Sequence, residues 1–128
     1  MNGGVRSEGL AAAARVRRSE LLELAESIAA AGGVAVIEPP AAGSTMLELT
    51  TRIGTFCFTE VVVTTARVHS RDGDGWGCVL GWDAEAALAA ALCDARRDER
   101  VAVLANLALA DEAAARTERR RAIGATKV

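Results

Sequence analysis

The sequence predicts an α+β fold: a four-stranded, mainly antiparallel sheet with N-terminal, middle and C-terminal helices packed on it. Short segments of alternating apolar and polar residues, separated by glycine turns, occupy the centre of the chain and indicate strands. Alanine-rich and leucine-rich segments with helical spacing flank them on both sides. The 128 residues suit a single domain, 1–128, and we expect its ends, about residues 1–6 and 123–128, to be flexible.

The composition limits the classes of function. Hydrophobic residues make up 51% of the chain and aromatics only 3%, so the core must be built from Ala, Val and Leu, and partner subunits are expected to cover its faces. A net charge of -2 creates no field that would gather nucleic acid. Without a long apolar run or a secretory leader pattern, we expect a soluble, cytoplasmic protein that binds no membrane.

The three cysteines do not predict a metal site. Cys57, Cys78 and Cys93 are widely spaced, form no C-x-x-C pair and have a single histidine to accompany them. Cys57 and Cys78 could face each other across neighbouring strands, but burial as small hydrophobic residues is the favoured interpretation.

The first half of the chain predicts one helix and two strands. Residues 7–31 form an amphipathic helix that ends at Gly32-Gly33. A short strand, 34–37, is followed by Glu38-Pro39-Pro40, where the chain must leave the sheet or run along its edge because proline donates no hydrogen bond. A second strand covers residues 46–53 and a turn at Gly54-Thr55 leads to the third.

The third strand, 56–68, contains the one break in the alternating pattern. Glu60 and Thr64 interrupt its more apolar side. A carboxylate on a core face needs a paired charge, water or a bulge. We therefore interpret Glu60 either as a functional residue or as a sign of a β-bulge near Thr59.

The fourth strand, 75–82, has one nearly bare face, because glycine occupies positions 75, 77 and 81. Glycine weakens a strand, so this face is expected to admit either a closely packed helix, which we favour, or a ligand. Asp83 is placed to cap a helix over residues 84–97. Further helices are predicted over 99–110 and 111–122.

Self-contained active-site motifs, such as a phosphate-binding P-loop or a zinc-binding H-E-x-x-H, do not occur in the sequence. His69 follows a strand without an obvious orienting partner and is interpreted as a turn residue. The arginines of residues 116–121 could bind phosphates. However, Glu112 and Glu118 offset part of their positive charge, and no aromatic residue lies among them to stack on a base. A solvated or subunit-contacting helix end is favoured over a nucleic-acid site.

The order and spacing of residues 56–95 resemble the PhnG family, the G subunit of the bacterial carbon-phosphorus lyase system. Members carry F-x-x-G-E/D-x-x-V/L-T, then G-Y/W-x-x-V-x-G-R-D, then a helix ending near D-A. The counterparts here are Phe56, Glu60, Val63, Thr64, Gly75, Trp76, Val79, Gly81, Asp83, Asp94 and Ala95. The similarity extends from Arg17-Arg18 through Pro40-x-x-Gly43 to Glu118-Arg119-Arg120-Arg121 and the closing Ala125-Thr126-Lys127-Val128.

The resemblance implies an accessory subunit that works with PhnH-, PhnI-, PhnJ- and PhnL-like partners, PhnI-like most directly. With the PhnH-, PhnI- and PhnL-like partners it would form ribose 1-phosphonate 5-triphosphate from a phosphonate and ATP. ATP is then a substrate of the complex, and this chain binds no cofactor. Of the family segment G-R-D-K-x-H-A-E, only Gly81 and Asp83 are present here. In the family's F-x-x-G-E/D stretch, the glycine before the acidic residue is replaced by Thr59. These losses of basic residues favour a non-catalytic subunit.

The candidate substrate-binding or partner-binding residues are Glu60, Thr64, Arg67, Trp82 and Asp83, and no catalytic residue is assigned. We expect a homo-oligomer within the complex. The alternative is a stand-alone homodimeric module that binds a small anion on the glycine face beside Arg67. Nucleic-acid binding by the C-terminal arginines is a weaker third hypothesis.

Overall fold

A computed structural model describes the backbone of residues 3–50 and 56–125, and the side chains of residues 6–46 and 60–121. Within these ranges the elements are α1 (Gly3–Val16), α2 (Arg18–Ala30), β1 (Val34–Thr50), β2 (Phe56–Ser70), β3 (Gly73–Leu80), α3 (Ala84–Ala95) and α4 (Glu99–Ala125). The predicted turn at Gly54-Thr55, the end of the second predicted strand and the extreme termini lie outside the described residues.

The sheet is antiparallel in the order β1-β2-β3, so the prediction of four strands was wrong. The two strands expected at 34–37 and 46–53 belong to one element, β1, which continues through Pro39 and Pro40. Its pairing with β2 shifts register between Val36 and Glu38 and again between Glu38 and Ala41. Proline is tolerated there because β1 is an edge strand with bulges, as the edge alternative required.

The helix predicted over residues 7–31 is two helices. Arg17, with φ -138° and ψ 45°, leaves the helical conformation between α1 and α2. Its side chain makes ion pairs with Asp111 in α4, at 2.6 Å, and with Glu20, at 3.0 Å. The sequence pattern missed this break because no glycine or proline marks it and because Asp111 is distant along the chain.

The last two predicted helices are one, α4, which is 27 residues long. The break predicted between residues 110 and 111 is therefore wrong. In the structure Asp111 lies within α4 and binds Arg17, and neither glycine nor proline interrupts the helix at that point.

The core lies between one face of the sheet and the helices. α3 packs directly on β2 and β3, α1 and α2 pack against α3, and α4 packs mainly on α1. Alanine is the commonest buried residue, and in α3 six of the eight buried residues are alanine. Small side chains let these elements approach closely, which agrees with the expectation of a core made from Ala, Val and Leu.

β1 and β2 extend beyond the helices. β3 ends at Leu80, which pairs with Val63, so from Val62 outward the sheet has two strands, in register as far as Thr50 and Phe56. We call the part of this two-stranded ribbon whose side chains are described, residues 44–46 and 60–62, the arm. Nearly all of the arm is exposed, and its exposed apolar side chains are Met46 and Val62.

Candidate functional site

Thr64 joins the sheet to the turn that precedes α3. Its side chain is completely buried on the helix-facing side of β2. The hydroxyl donates a hydrogen bond to the carbonyl oxygen of Gly81 at 2.6 Å and accepts one from the backbone N–H of Asp83 at 2.9 Å. Gly81 has φ +76°, a conformation that favours glycine. The polar interruption of the third strand at Thr64 therefore fixes a turn.

Asp83 caps α3, as predicted, by accepting a hydrogen bond from the backbone N–H of Ala86 at 3.1 Å. The same carboxylate receives two hydrogen bonds from the Arg18 guanidinium, both of 2.9 Å. Hydrogen bonding by Arg18 holds the pKa of Asp83 below its ordinary value, and the capping bond to Ala86 adds to this effect. Asp83 is thus ionised at neutral pH and links the starts of α2 and α3.

Arg18 is the residue of this cluster that the candidate set omits. It lies in the helix predicted over residues 7–31 and belongs to the Arg17-Arg18 element of the family resemblance. Arg18 and Asp83 are 65 residues apart in the chain, and only the packing of α2 beside α3 brings them together. Its guanidinium is already paired with Asp83, with Glu85 4.0 Å away.

Glu60 lies on the arm. Positions 57–60 of β2 pair with β1 in continuous register, so the bulge proposed near Thr59 is wrong. Glu60 shares a sheet face with Thr64 but is exposed, because α3 covers β2 only nearer its other end. Its cross-strand partner is Met46, 60% exposed, and Val62 follows on the same face. Glu60 therefore needs no buried counter-charge.

Arg67 and Trp82 are exposed and take no part in the hydrogen bonds that join Thr64, Gly81 and Asp83. Arg67 is exposed, is paired across strands with Trp76, and has Nη1 3.9 Å from the Glu38 carboxylate. Trp82 is 64% exposed in the turn between β3 and α3. Of the five candidates, the structure therefore brings only Thr64 and Asp83 into direct contact, while Trp82 adjoins them in sequence.

The glycine face of β3 is filled by α3. A Cβ atom on Gly75 would lie 2.2 Å from the carbonyl oxygen of Ala91, and one on Gly77 would lie 2.2 Å from that of Ala87. This contact supports the close-packing interpretation of the two glycines. It leaves no room for a ligand on them. A stand-alone module that binds a small anion therefore could not use these two glycines as its binding surface.

His69 has an orienting partner that the sequence analysis missed. Its Nδ1 lies 2.6 Å from Oδ1 of Asp74, which faces it across the turn between β2 and β3. Both side chains are more than half exposed. The neighbouring Ser70 points inward, where its hydroxyl donates to the carbonyl oxygen of Ala95. The adjacent Ser, His and Asp therefore do not assemble a nucleophilic triad.

One cavity of about 500 Å³ lies between α2 and α4. Its lining, which includes Glu23, Leu24, Arg100 and Leu104, contains none of the five candidates. In the described part of the chain, no group of three or more His, Cys, Asp or Glu residues is arranged to hold a metal ion. No helix among the described residues is sufficiently long and apolar to span a bilayer.

The fold and the candidate residues define a small α+β protein whose sheet is covered by helices on one face and extends as an arm. Its polar candidates at Thr64 and Asp83 connect the sheet to the helices. The family model described as "Phosphonate metabolism protein PhnG" matches residues 5–128. The chain belongs to the PhnG family and takes part in phosphonate metabolism, and the resemblance noted in its sequence is confirmed. No curated protein matches it.

Proposed function

We propose that this chain is a non-catalytic subunit of the carbon-phosphorus lyase core complex. In that role it would act with PhnH-, PhnI- and PhnL-like subunits during ATP-dependent formation of ribose 1-phosphonate 5-triphosphate, in a complex that also holds a PhnJ-like subunit. Family membership supports the pathway. The exposed arm supports the subunit role, and it is the observation that carries the proposal.

An extended two-stranded ribbon is only marginally stable in water by itself. The arm nevertheless exposes Met46 and Val62, which are 60% and 54% exposed on one sheet face. Single exposed apolar residues are ordinary, but two neighbouring ones on one protruding element indicate a surface that a partner covers. We therefore assign the arm as the docking element for the PhnI-like subunit.

The arm also offers backbone groups for strand addition. The backbone N–H of Gly81 donates to the carbonyl oxygen of Val62 at 2.8 Å, and this is the last described bond on that side of β2. By alternation, the backbone groups of Glu60 and Phe58 point to the same side, beyond the end of β3. A strand from a partner would continue the ladder there, with Glu60 placed to contact it.

Co-expression with a tagged PhnI-like subunit tests the docking role. We expect the wild-type chain to copurify, and the double variant Met46→Gln/Val62→Gln to lose at least about tenfold in affinity, as is typical when central interface contacts are removed. Val16→Gln is the matched control, since Val16 is 45% exposed at the end of α1. Failure of the wild-type proteins to associate, or equal copurification of the double variant, would contradict the proposal.

Adenine release by the reconstituted complex, supplied with ATP and methylphosphonate, tests the non-catalytic role. We expect release to require this chain. The variants Glu60→Gln and Thr64→Ser, once assembled, should lower the rate by less than about tenfold, whereas loss of a general acid or base costs roughly 10²–10⁴-fold. A larger loss in an assembled complex would show that the residue takes part in the chemistry.

A further inference from the structure

α4 is longer than the body it packs against. Its 27 residues span about 40 Å, at 1.5 Å per residue. The first half is anchored by Val101, Leu104 and Ala108, which are at most 5% exposed. The ion pair between Arg15 and Glu112 ties the middle of α4 to α1. From position 113 to position 121 every residue is exposed.

An apolar stripe runs along the outer side of α4. Val103 is 59% exposed and Leu107 43% exposed, and Ala110 and Ala114 continue the stripe at helical spacing. Val103 and Leu107 also line the 500 Å³ groove between α2 and α4. Stripe and groove together form one continuous apolar surface, which we call the α4 surface.

The α4 surface carries opposite charges at its two ends. Glu23 and Glu99 line the groove at the start of α4. Arg100 is also there, but its guanidinium is paired with Asp98 at 2.7 Å. At the far end of α4, Arg121 continues the stripe at helical spacing and Arg120 is next to it. Arg116 and Arg119 lie on the α1 side of the helix, beside Arg15 and Glu112.

This arrangement is self-complementary. Glu99 precedes Ala110 by 11 residues (110 − 99) and Arg121 follows it by 11 (121 − 110), which is about 16 Å along the helix in each direction. A twofold axis near Ala110 would therefore place Arg121 of each copy beside Glu99 of the other. The apolar stripes would meet between them. Isologous contacts of this kind are the commonest in homodimers.

We propose that the α4 surface binds the same surface of a second copy of this chain, with the two α4 helices antiparallel. This inference concerns the isolated chain and does not rest on the proposed docking of the arm. It gives the expected homo-oligomer a specific interface. The apolar stripe supplies buried area, and the charged ends fix the antiparallel direction, because a parallel pair would place like charges together.

Sedimentation equilibrium of the purified full chain tests the proposal. We expect dimers of twice the 13.3 kDa chain mass, with a dissociation constant that rises with salt as the end charges are screened. Leu107→Glu should raise that constant at least about tenfold, because it places a charge at the centre of the contact. Glu26→Lys, on another exposed part of α2, is the matched control and should leave it unchanged. A monomeric wild-type chain would overturn the proposal.

A charge exchange tests the antiparallel geometry. The variant Glu23→Lys/Glu99→Lys makes both ends of the surface basic, and the variant Arg120→Glu/Arg121→Glu makes both acidic. Each should dimerise poorly alone, while an equimolar mixture should form heterodimers, because each modified end then meets an opposite charge. Near-ultraviolet circular dichroism verifies that both variants fold. Folded variants that dimerise as wild type, or that fail to pair when mixed, would overturn the antiparallel assignment.

Discussion

The Thr64 hydroxyl donates a 2.6 Å hydrogen bond to the carbonyl oxygen of Gly81, which closes the turn between β3 and α3. The hydroxyl oxygen of Thr64 also accepts a hydrogen bond from the backbone N–H of Asp83. One completely buried side chain thereby satisfies two backbone groups of a turn whose glycine has positive φ. The position of Asp83, and hence its contact with Arg18, depends on this arrangement.

Replacement of Thr64 by valine should therefore destabilise the protein. Valine has nearly the same shape but leaves the Gly81 carbonyl and the Asp83 N–H without their partner, at a cost of roughly 1–3 kcal/mol each at most. Thr64→Ser keeps the hydroxyl and loses one methyl group, which costs about 1 kcal/mol. Urea unfolding measures both free energies. A serine variant less stable than the valine variant would show that packing, not hydrogen bonding, is the main contribution of Thr64.

Gly75→Ala should cost more than an ordinary glycine substitution in a strand. Its Cβ would lie 2.2 Å from the Ala91 carbonyl oxygen and 2.3 Å from the Ala95 nitrogen, so α3 must move away from β3. We expect a loss of at least about 1–3 kcal/mol, the usual cost of overpacking a core.

Gly43→Ala is the control for this prediction, because a Cβ at Gly43 meets no atom within 4 Å. Its effect on the free energy of unfolding should stay within about 0.5 kcal/mol. Thermal unfolding of the two variants beside wild type makes the comparison. Equal effects would show that α3 does not press on the glycine face.

Asp83→Asn should reduce stability at neutral pH and have less effect in acid. The pKa of Asp83 is lowered in the folded protein, so its ionised form contributes stability above the unfolded-state value near 3.8. That contribution is lost as the pH falls through the folded pKa. The stability difference between wild type and Asp83→Asn should therefore be largest near pH 7 and shrink from about pH 5 downward.

Denaturant unfolding at a series of pH values measures this difference. Asp83→Ala is the companion variant, since asparagine can still cap α3 whereas alanine cannot. Loss of the cap costs a further ~1 kcal/mol at every pH. A difference between wild type and Asp83→Asn that did not change with pH would refute a stabilising role for the Arg18–Asp83 ion pair.

Cys93 should be unreactive in the folded protein. Its side chain is completely buried in α3, and burial raises the pKa of its thiol to about 12, so almost no thiolate forms at pH 8. Cys78 is only partly buried and should be alkylated faster. Iodoacetamide labelling followed by peptide mass spectrometry distinguishes the two sites. In guanidinium chloride both should label alike, and equal labelling in native buffer would contradict the packing of α3.

Local patterns predicted the elements whose signals are close in sequence. The Asp83 cap depends on residues three positions apart, and the periodicity of β2 and α3 reflects a single buried face. The bulged edge strand was one of two alternatives that Pro39 and Pro40 left open. The number of strands was wrong because a sequence pattern cannot show that a strand continues through prolines when its open side faces solvent.

The candidate residues were predicted less well because their roles depend on neighbours that are distant in the chain. Thr64 and Glu60 break the same apolar pattern, yet one is buried under the turn before α3 and the other is exposed on the arm. Which of them the helices cover is decided by where β3 and α3 end. Arg18 gave no local sign that its partner would be Asp83.

The sequence by itself determined the family, the α+β class, the capped helix α3 and the need for glycine where β3 meets it. These properties depend on residue identity and on short spacings, and both can be read directly from the sequence. Only the tertiary structure decided the three-stranded sheet, the exposed arm, the Thr64–Gly81–Asp83–Arg18 connection and the long α4. They follow from packing between residues 17 to 94 positions apart, and the free energy of such contacts depends on which surfaces the fold brings together.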